Sequence, residues 1–179
     1  MDIKRSLNAG LLTLCIYMRF LFVTGTSYDL SNGGHTSIPT GILTDAVSID
    51  LSGNALTTIV ASEFSSFTSL VTINLSDNDI TSISDDAFSG LSNVQHIDLR
   101  NNLLTTYPDF SADVINSLLR LDLSRNNIAH IPNNVFYNVI QEIYLARNPI
   151  DWVAGDLDGL FAYSGSLVTL DVTRTGCTR

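Results

Sequence analysis

Lysine is nearly missing from this chain: Lys4 is the only one in 179 residues, and nine basic residues face eighteen acidic ones, for a formal net charge of −9. With no basic patch, the chain is a poor match for the phosphate backbone of nucleic acids. It is equally poor for an anionic membrane surface. Cysteine is as scarce. Cys15 and Cys177 stand too far apart for a CxxC pair and are too few for a disulfide framework. Cys177 falls at an apolar place, where it reads as a small buried hydrophobe or as a thiol whose partner lies on a longer chain. The signatures HExxH, GxSxG and the phosphate-binding glycine loop are all absent. His35, His96 and His130 share no spacing, so no metal site is expected. Asp77-Asn78-Asp79 lacks the glycine and late glutamate of a calcium loop. Asp156-Leu157-Asp158-Gly159 reads as a polar turn. Neither a cofactor nor an enzymatic activity is expected.

What the chain does have begins with a leader. Lys4 and Arg5 precede an apolar run, Ala9 to Met18, which resumes after Arg19 as Phe20-Leu21-Phe22-Val23. Residues 1–25 read as a secretory signal peptide cleaved near Val23-Thr24-Gly25. A retained membrane anchor and a leader on a cytosolic protein are the alternatives. Removing residues 1–25 takes away Asp2, Lys4, Arg5 and Arg19, leaving no lysine and a formal charge of −11. Residues 26–179 are then expected to form one domain.

That domain is built on a recurrence, seen whole in Leu70 to Leu91, LVTINLSDNDITSISDDAFSGL. Ile73 and Leu75 alternate with Thr72, Asn74 and Ser76, the period of a strand buried on one face. Asn78 sits in the polar run that follows, where its amide can serve backbone donors and acceptors of neighbouring turns together. Ile80, Ile83, Phe88 and Leu91 resume the core. The same places are filled by Ala46, Ile49, Leu51, Asn54, Leu56 and Ile59, then Phe64 and Phe67; and by Val94, Ile97, Leu99, Asn102 and Leu104. Leu118, Leu121, Leu123, Asn126, Ile128 and Ile131 follow, with Phe136 and Val139, and then Ile140, Ile143, Leu145, Asn148 and Ile150. A partial copy has Leu167, Leu170 and Val172, with Thr175 where Asn is expected. The starting positions 46, 70, 94 and 118 are 24 residues apart, and steps of 22 and 27 follow. One unit has two apolar flanks and needs stacked neighbours to bury both.

The pattern LxxLxLxxNxL resembles the leucine-rich repeat family. The resemblance implies an α/β-type solenoid: a right-handed superhelix with short parallel strands on the concave face and turns, short helical or extended segments on the convex face. It implies an asparagine ladder of Asn54, Asn78, Asn102, Asn126 and Asn148, beside which exposed Asn101 is expected to be freely replaceable. Residues 26–45 form the N-terminal cap, 46–166 five repeats, and 167–179 a partial terminal repeat. Tyr28 to Leu43 resembles the caps of extracellular members, in which a small hairpin-like element shields the first strand, although it lacks their paired cysteines. The unfinished last strand, Leu167 to Val172, is expected to be a weak edge that frays or pairs into an edge-mediated dimer.

By the resemblance the function is recognition of a protein or peptide through the concave face, by a secreted protein or a receptor-like ectodomain. An intracellular scaffold or regulatory subunit is the alternative. Alternation places Asp50, Asn74, Asp98, Asp122, Tyr144 and Asp171 in one outward column. Arg100, Arg120, Arg125, Arg147 and Arg174 share that face toward its C-terminal half, leaving only Arg179 of the arginines after the leader elsewhere. Two readings compete. Arginines could neutralise aspartates that stand ~4.8 Å apart and repel by about 0.9 kcal/mol even in water. Alternatively, Asp98, Arg100, Arg120, Asp122, Arg125, Tyr144, Arg147 and Arg174 form a partner-binding surface that would suit acidic groups on a ligand. Asn74-Leu75-Ser76, the one glycosylation sequon, lies in the same column.

Overall fold

A computed structural model describes residues 25–110, 115–132, 140–152 and 166–175. The leader, Phe136, Val139, the 156–159 turn and Cys177 lie outside the described residues. Seven strands form one parallel sheet in the order β1-β2-β4-β6-β7-β8-β9: β1 (Thr26–Asp29), β2 (Ala46–Asp50), β4 (Thr72–Asn74), β6 (His96–Asp98), β7 (Arg120–Asp122), β8 (Glu142–Tyr144) and β9 (Thr169–Asp171). A second, two-stranded parallel sheet pairs β3 (Thr58–Ile59) with β5 (Ser82–Ile83) on the opposite side. Each chain turn therefore makes one rung of a solenoid. The described convex side consists of tight turns and this extended pair, not helix.

The sheet register reproduces the sequence spacing. Asp50 pairs with Asn74, Asn74 with Asp98, Asp98 with Asp122, Asp122 with Tyr144 and Tyr144 with Asp171. The inward positions Ile49, Ile73, Ile97, Leu121 and Ile143 and their partners Leu51, Leu75, Leu99, Leu123 and Leu145 are essentially inaccessible. Beneath them Phe64, Phe88 and Phe110 stack ring on ring, with centroids 5.6 Å apart at both steps. Phe110 does not follow the 24-residue step from Phe88, and Tyr107, at the place of Ile83, meets its edge at 6.0 Å. The phenol of Tyr107 has no hydrogen-bond partner among the described residues, and burial pushes its pKa above the ordinary tyrosine value.

The N-terminal cap differs from the hairpin expected. β1 is a parallel strand, a further rung in which Tyr28 pairs with Ile49 and Asp29 with Asp50. Leu30 and Asn32 continue the ladder by donating to the carbonyls of Asp50 and Ser52. A tyrosine replaces the usual aliphatic residue, its hydroxyl accepting from the Leu43 amide at 3.0 Å.

The asparagine ladder is continuous. Asn102 accepts from the Ile80 amide through Oδ1 at 3.0 Å and donates through Nδ2 to the Leu75 and Leu99 carbonyls, both at 3.0 Å. Asn78 repeats this geometry on the rung before, and Asn126 and Asn148 on the two rungs after. Asn54, half-buried, instead accepts from Gly33 and His35 in the cap. Each amide thus ties its own rung to the one before. At the last rung Thr175 keeps part of this role: its hydroxyl donates to the Val172 carbonyl and accepts from Trp152 Nε1, both at 2.9 Å.

Replacing Asn102 by Leu strands one buried donor and two carbonyls, so a loss of about 1–3 kcal/mol or more is expected in a denaturant titration. Asn101 is less neutral than its exposure suggests, because it has φ 54° and donates to Asp77 at 2.7 Å. The near-silent control beside Asn102→Leu is therefore Asn101→Gly, at under about 0.5 kcal/mol. Equal losses for the two would contradict the ladder.

The amides of Leu51, Leu75, Leu99, Leu123 and Leu145 each donate to a carbonyl of the next rung. Val172 stands next in that series and has no such acceptor among the described residues. Its amide is expected to exchange far faster than that of Leu123 in a dilute monomer. Protection that rises with protein concentration would show a second chain pairing at this edge.

Candidate functional site

The outward face of the sheet has two strand columns and a third at the turns. The first runs Ser48, Thr72, His96, Arg120, Glu142, Thr169, and the second Asp50, Asn74, Asp98, Asp122, Tyr144, Asp171. The sequence singled out the second column, and the same alternation places the first beside it.

The aspartates of the second column have a local task. Asp29, Asp50 and Asp122 each accept, through Oδ1, both the amide and the hydroxyl of the serine two residues on. Asp98 and Asp171 accept the amides of Arg100 and Thr173, and Asn74 that of Ser76. A carboxylate or amide here closes the turn at the end of each strand. The Asp29 carboxyl is held below its ordinary pKa by the Ser31 hydroxyl and then the Ser31 amide. At the middle of the column the balance reverses: Asp98 is raised, first by burial, against the Arg100 amide and with Asp122 adding to the rise.

The arginines fall into two groups. Arg100 and Arg120 are engaged. Arg100 Nε lies 3.6 Å from Asp98 Oδ2. Arg120 is held more firmly: its guanidinium lies 4.8 Å from the Tyr144 ring centroid, and Nη1 lies 3.5 Å from Glu142 Oε2. The Tyr144 hydroxyl donates to the same Glu142 oxygen at 3.2 Å. This stack borders an open groove of about 270 Å³ lined by Thr72, Asn74, His96, Asp98, Arg120 and Asp122.

Arg125, Arg147 and Arg174 occupy the third column, and all have left-handed backbones, with φ of 56°, 60° and 59°. The same repeat position is filled toward the N-terminus by Asn32, Gly53, Asp77 and Asn101, residue types suited to that conformation. A side chain such as arginine costs about 1 kcal/mol or more there. All three arginines are exposed and make no ion pair among the described residues. No contact ion pair with the aspartate column therefore accounts for them.

The structure brings together Asp98, Arg120 and Asp122 around one groove, with Tyr144 stacked on Arg120, and Arg100 and Arg125 at a second depression with Asp77 and Asn101. Arg147 and Arg174 follow on the next two rungs. Thr72 and His96 were not placed on this face from sequence, although alternation was sufficient to find them; Asp77 and Asn101 lie among its outward turn residues. Among the described residues no three His, Cys, Asp or Glu side chains form a metal-binding group, and no helix is long and apolar enough to cross a membrane.

Parallel strands stacked on a shared ladder of buried asparagines, with polar side chains varying rung by rung on the outer face, define a parallel-strand solenoid. Residues 68–114 and 117–138 each match a leucine rich repeat family, and the two matches support a leucine-rich repeat family for the chain. No curated protein sequence matches it. Domains of this family generally mediate protein–protein recognition and are typically non-enzymatic.

The raised Asp98 carboxyl has a definite consequence for stability. The folded chain holds that proton more tightly than the unfolded chain, so the group's contribution falls as pH rises through the folded pKa and is recovered in acid. Asn74 shows that an asparagine can close the same turn. Asp98→Asn is expected to raise the melting temperature at neutral pH, with the advantage fading as pH falls through the carboxylate range. Thermal melts across that range check it, and a pH-independent loss of stability would contradict it.

Proposed function

We propose that the chain is a protein or peptide recognition module whose partner docks on the C-terminal half of the concave face. The contacts would come from Asp98, Arg100, Arg120, Asp122, Arg125, Tyr144, Arg147 and Arg174. The observation that carries this reading is the confinement of the arginines to one half of one face, three of them in a backbone conformation that disfavours them. The Arg120–Tyr144–Glu142 stack supports it, because it fixes an aromatic anchor and a forked donor before any ligand arrives, which lowers the ordering cost of binding. Acidic groups on the partner suit this surface best.

The compartment proposed is extracellular, as a secreted protein or an ectodomain, and rests on the leader pattern of residues 1–25. The cysteine-free cap favours the alternative of an intracellular scaffold or enzyme-regulatory subunit. Intact mass of the product from a secreting eukaryotic host separates the two, with loss of about 25 residues expected for the first.

Peptides selected from a displayed random library against the immobilised protein test the face. Their binding is expected to weaken about tenfold or more on combining Arg120→Ala with Tyr144→Ala. It should be unchanged by Asp85→Ala in the turn after β5. Selected peptides that respond to Asp85→Ala and ignore the double substitution would place the site elsewhere.

A further inference from the structure

The three left-handed arginines also specify a geometry. Arg125 and Arg147 donate their amides to the carbonyls of Ala146 and Thr173, at 2.8 and 2.9 Å, so the arginine positions stand on consecutive rungs. Rungs of a sheet lie ~4.8 Å apart, so Arg125 and Arg174 are separated by roughly 10 Å along the solenoid axis. Three steps of an extended peptide cover about the same distance. At the head of this row Arg100 and Arg125 converge on an open depression of about 270 Å³ that they share with Asp77 and Asn101. From that depression onward, no acidic side chain among the described residues pairs with Arg125, Arg147 or Arg174.

We infer that Arg125, Arg147 and Arg174 form a rail for an extended acidic peptide segment, which crosses the strands along the rim of the concave face and enters the depression beside Arg100. The inference rests on the recognition reading above and assigns its ligand chemistry. Each guanidinium presents a planar fork that a carboxylate can fill, and neighbouring rungs offer the forks in a line. Like charges held side by side at the rim repel, and an incoming row of carboxylates relieves that repulsion. A compact ligand in the groove by Tyr144 would leave Arg147 and Arg174 unused, whereas an extended acidic chain engages all three.

Glycine is the informative substitution because it suits a left-handed backbone and removes only the side chain. The probe is fluorescein-labelled hexaglutamate, read by anisotropy at low ionic strength. The intact chain is expected to bind it saturably, with affinity falling as salt is added. Combining Arg125→Gly, Arg147→Gly and Arg174→Gly should weaken binding about tenfold or more, while the melting temperature holds or rises. Asn32→Gly, at the same repeat position on the first rung, should leave binding unchanged. The rail is overturned if the triple glycine variant binds hexaglutamate as tightly as the intact chain, or if the intact chain does not bind it. It is also overturned if a sulfated oligosaccharide binds through these arginines and hexaglutamate does not, since the ligand would then be a glycan. Selected peptides that still depend on Arg120 and Tyr144 would leave the recognition reading standing after such a failure.

Discussion

The structure depends on one constraint: the central rungs of this solenoid turn away from their strands where a buried asparagine serves the backbone on both sides. The amide of Asn78, Asn102, Asn126 or Asn148 bonds two carbonyls and one amide inside a core where water cannot substitute. Leaving such groups unpaired costs more than the bonds contribute when made. The ladder therefore fixes registry more than it adds stability. A slip of one residue would orphan three backbone groups per rung and turn the aliphatic positions outward together. Once the ladder sets the register, the outward columns follow, and residues 24 apart in sequence become neighbours in space.

The outer face divides the labour that its composition leaves undivided. Its aspartates look like a charged surface, yet one oxygen of each is committed to closing its own turn. The second oxygen of Asp50 accepts from the Asn74 side chain at 3.1 Å and that of Asp98 faces Arg100 at 3.6 Å, so the second oxygens of Asp122 and Asp171 are the more open to a partner. The arginines differ according to whether the chain supplies a neighbour: Arg120 stacks on Tyr144, and Arg100 approaches Asp98. Arg125, Arg147 and Arg174 depart from the residue types that the left-handed position favours. Exposed ion pairs contribute only about 0–1 kcal/mol, so stability gives little reason for arginine at these three places.

Much of this was legible in the sequence because the repeat is written in side chains of fixed spacing. The steps of 24, 22 and 27 residues became the sheet register, and the asparagine places became the ladder. The first rung was hidden because Tyr28 replaces an aliphatic residue and Gly33 replaces the asparagine, so β1 lacks both markers. Phe110 was hidden for a related reason: it joins the aromatic stack from a place that is not a whole repeat from Phe88, beside a Tyr107 larger than the residue it replaces. Spacing also placed the candidate face but could not weigh it. Whether an aspartate closes a turn or awaits a ligand is decided by the amide two residues on, and a left-handed backbone has no signature where arginine occupies it.

Tyr144 shows how such a face departs from its own repeat. The column it interrupts places a carboxylate or amide before every other described turn. A tyrosine cannot accept the amide two residues on in the same way, so this rung gives up a hydrogen bond with a net worth of about 1 kcal/mol. In its place the ring receives the Arg120 guanidinium, an interaction of about 0.5–1 kcal/mol at an exposed site. The exchange is close to neutral for the fold. Its effect is on the surface, where a committed carboxylate is replaced by an amphipathic ring carrying a fixed cation, at the place where the arginines begin to outnumber their partners. The core columns keep the same chemistry from rung to rung because the ladder allows little else. The information that distinguishes this solenoid from any other stack of such rungs therefore lies in substitutions of this kind, which change the face and leave the fold almost unmoved.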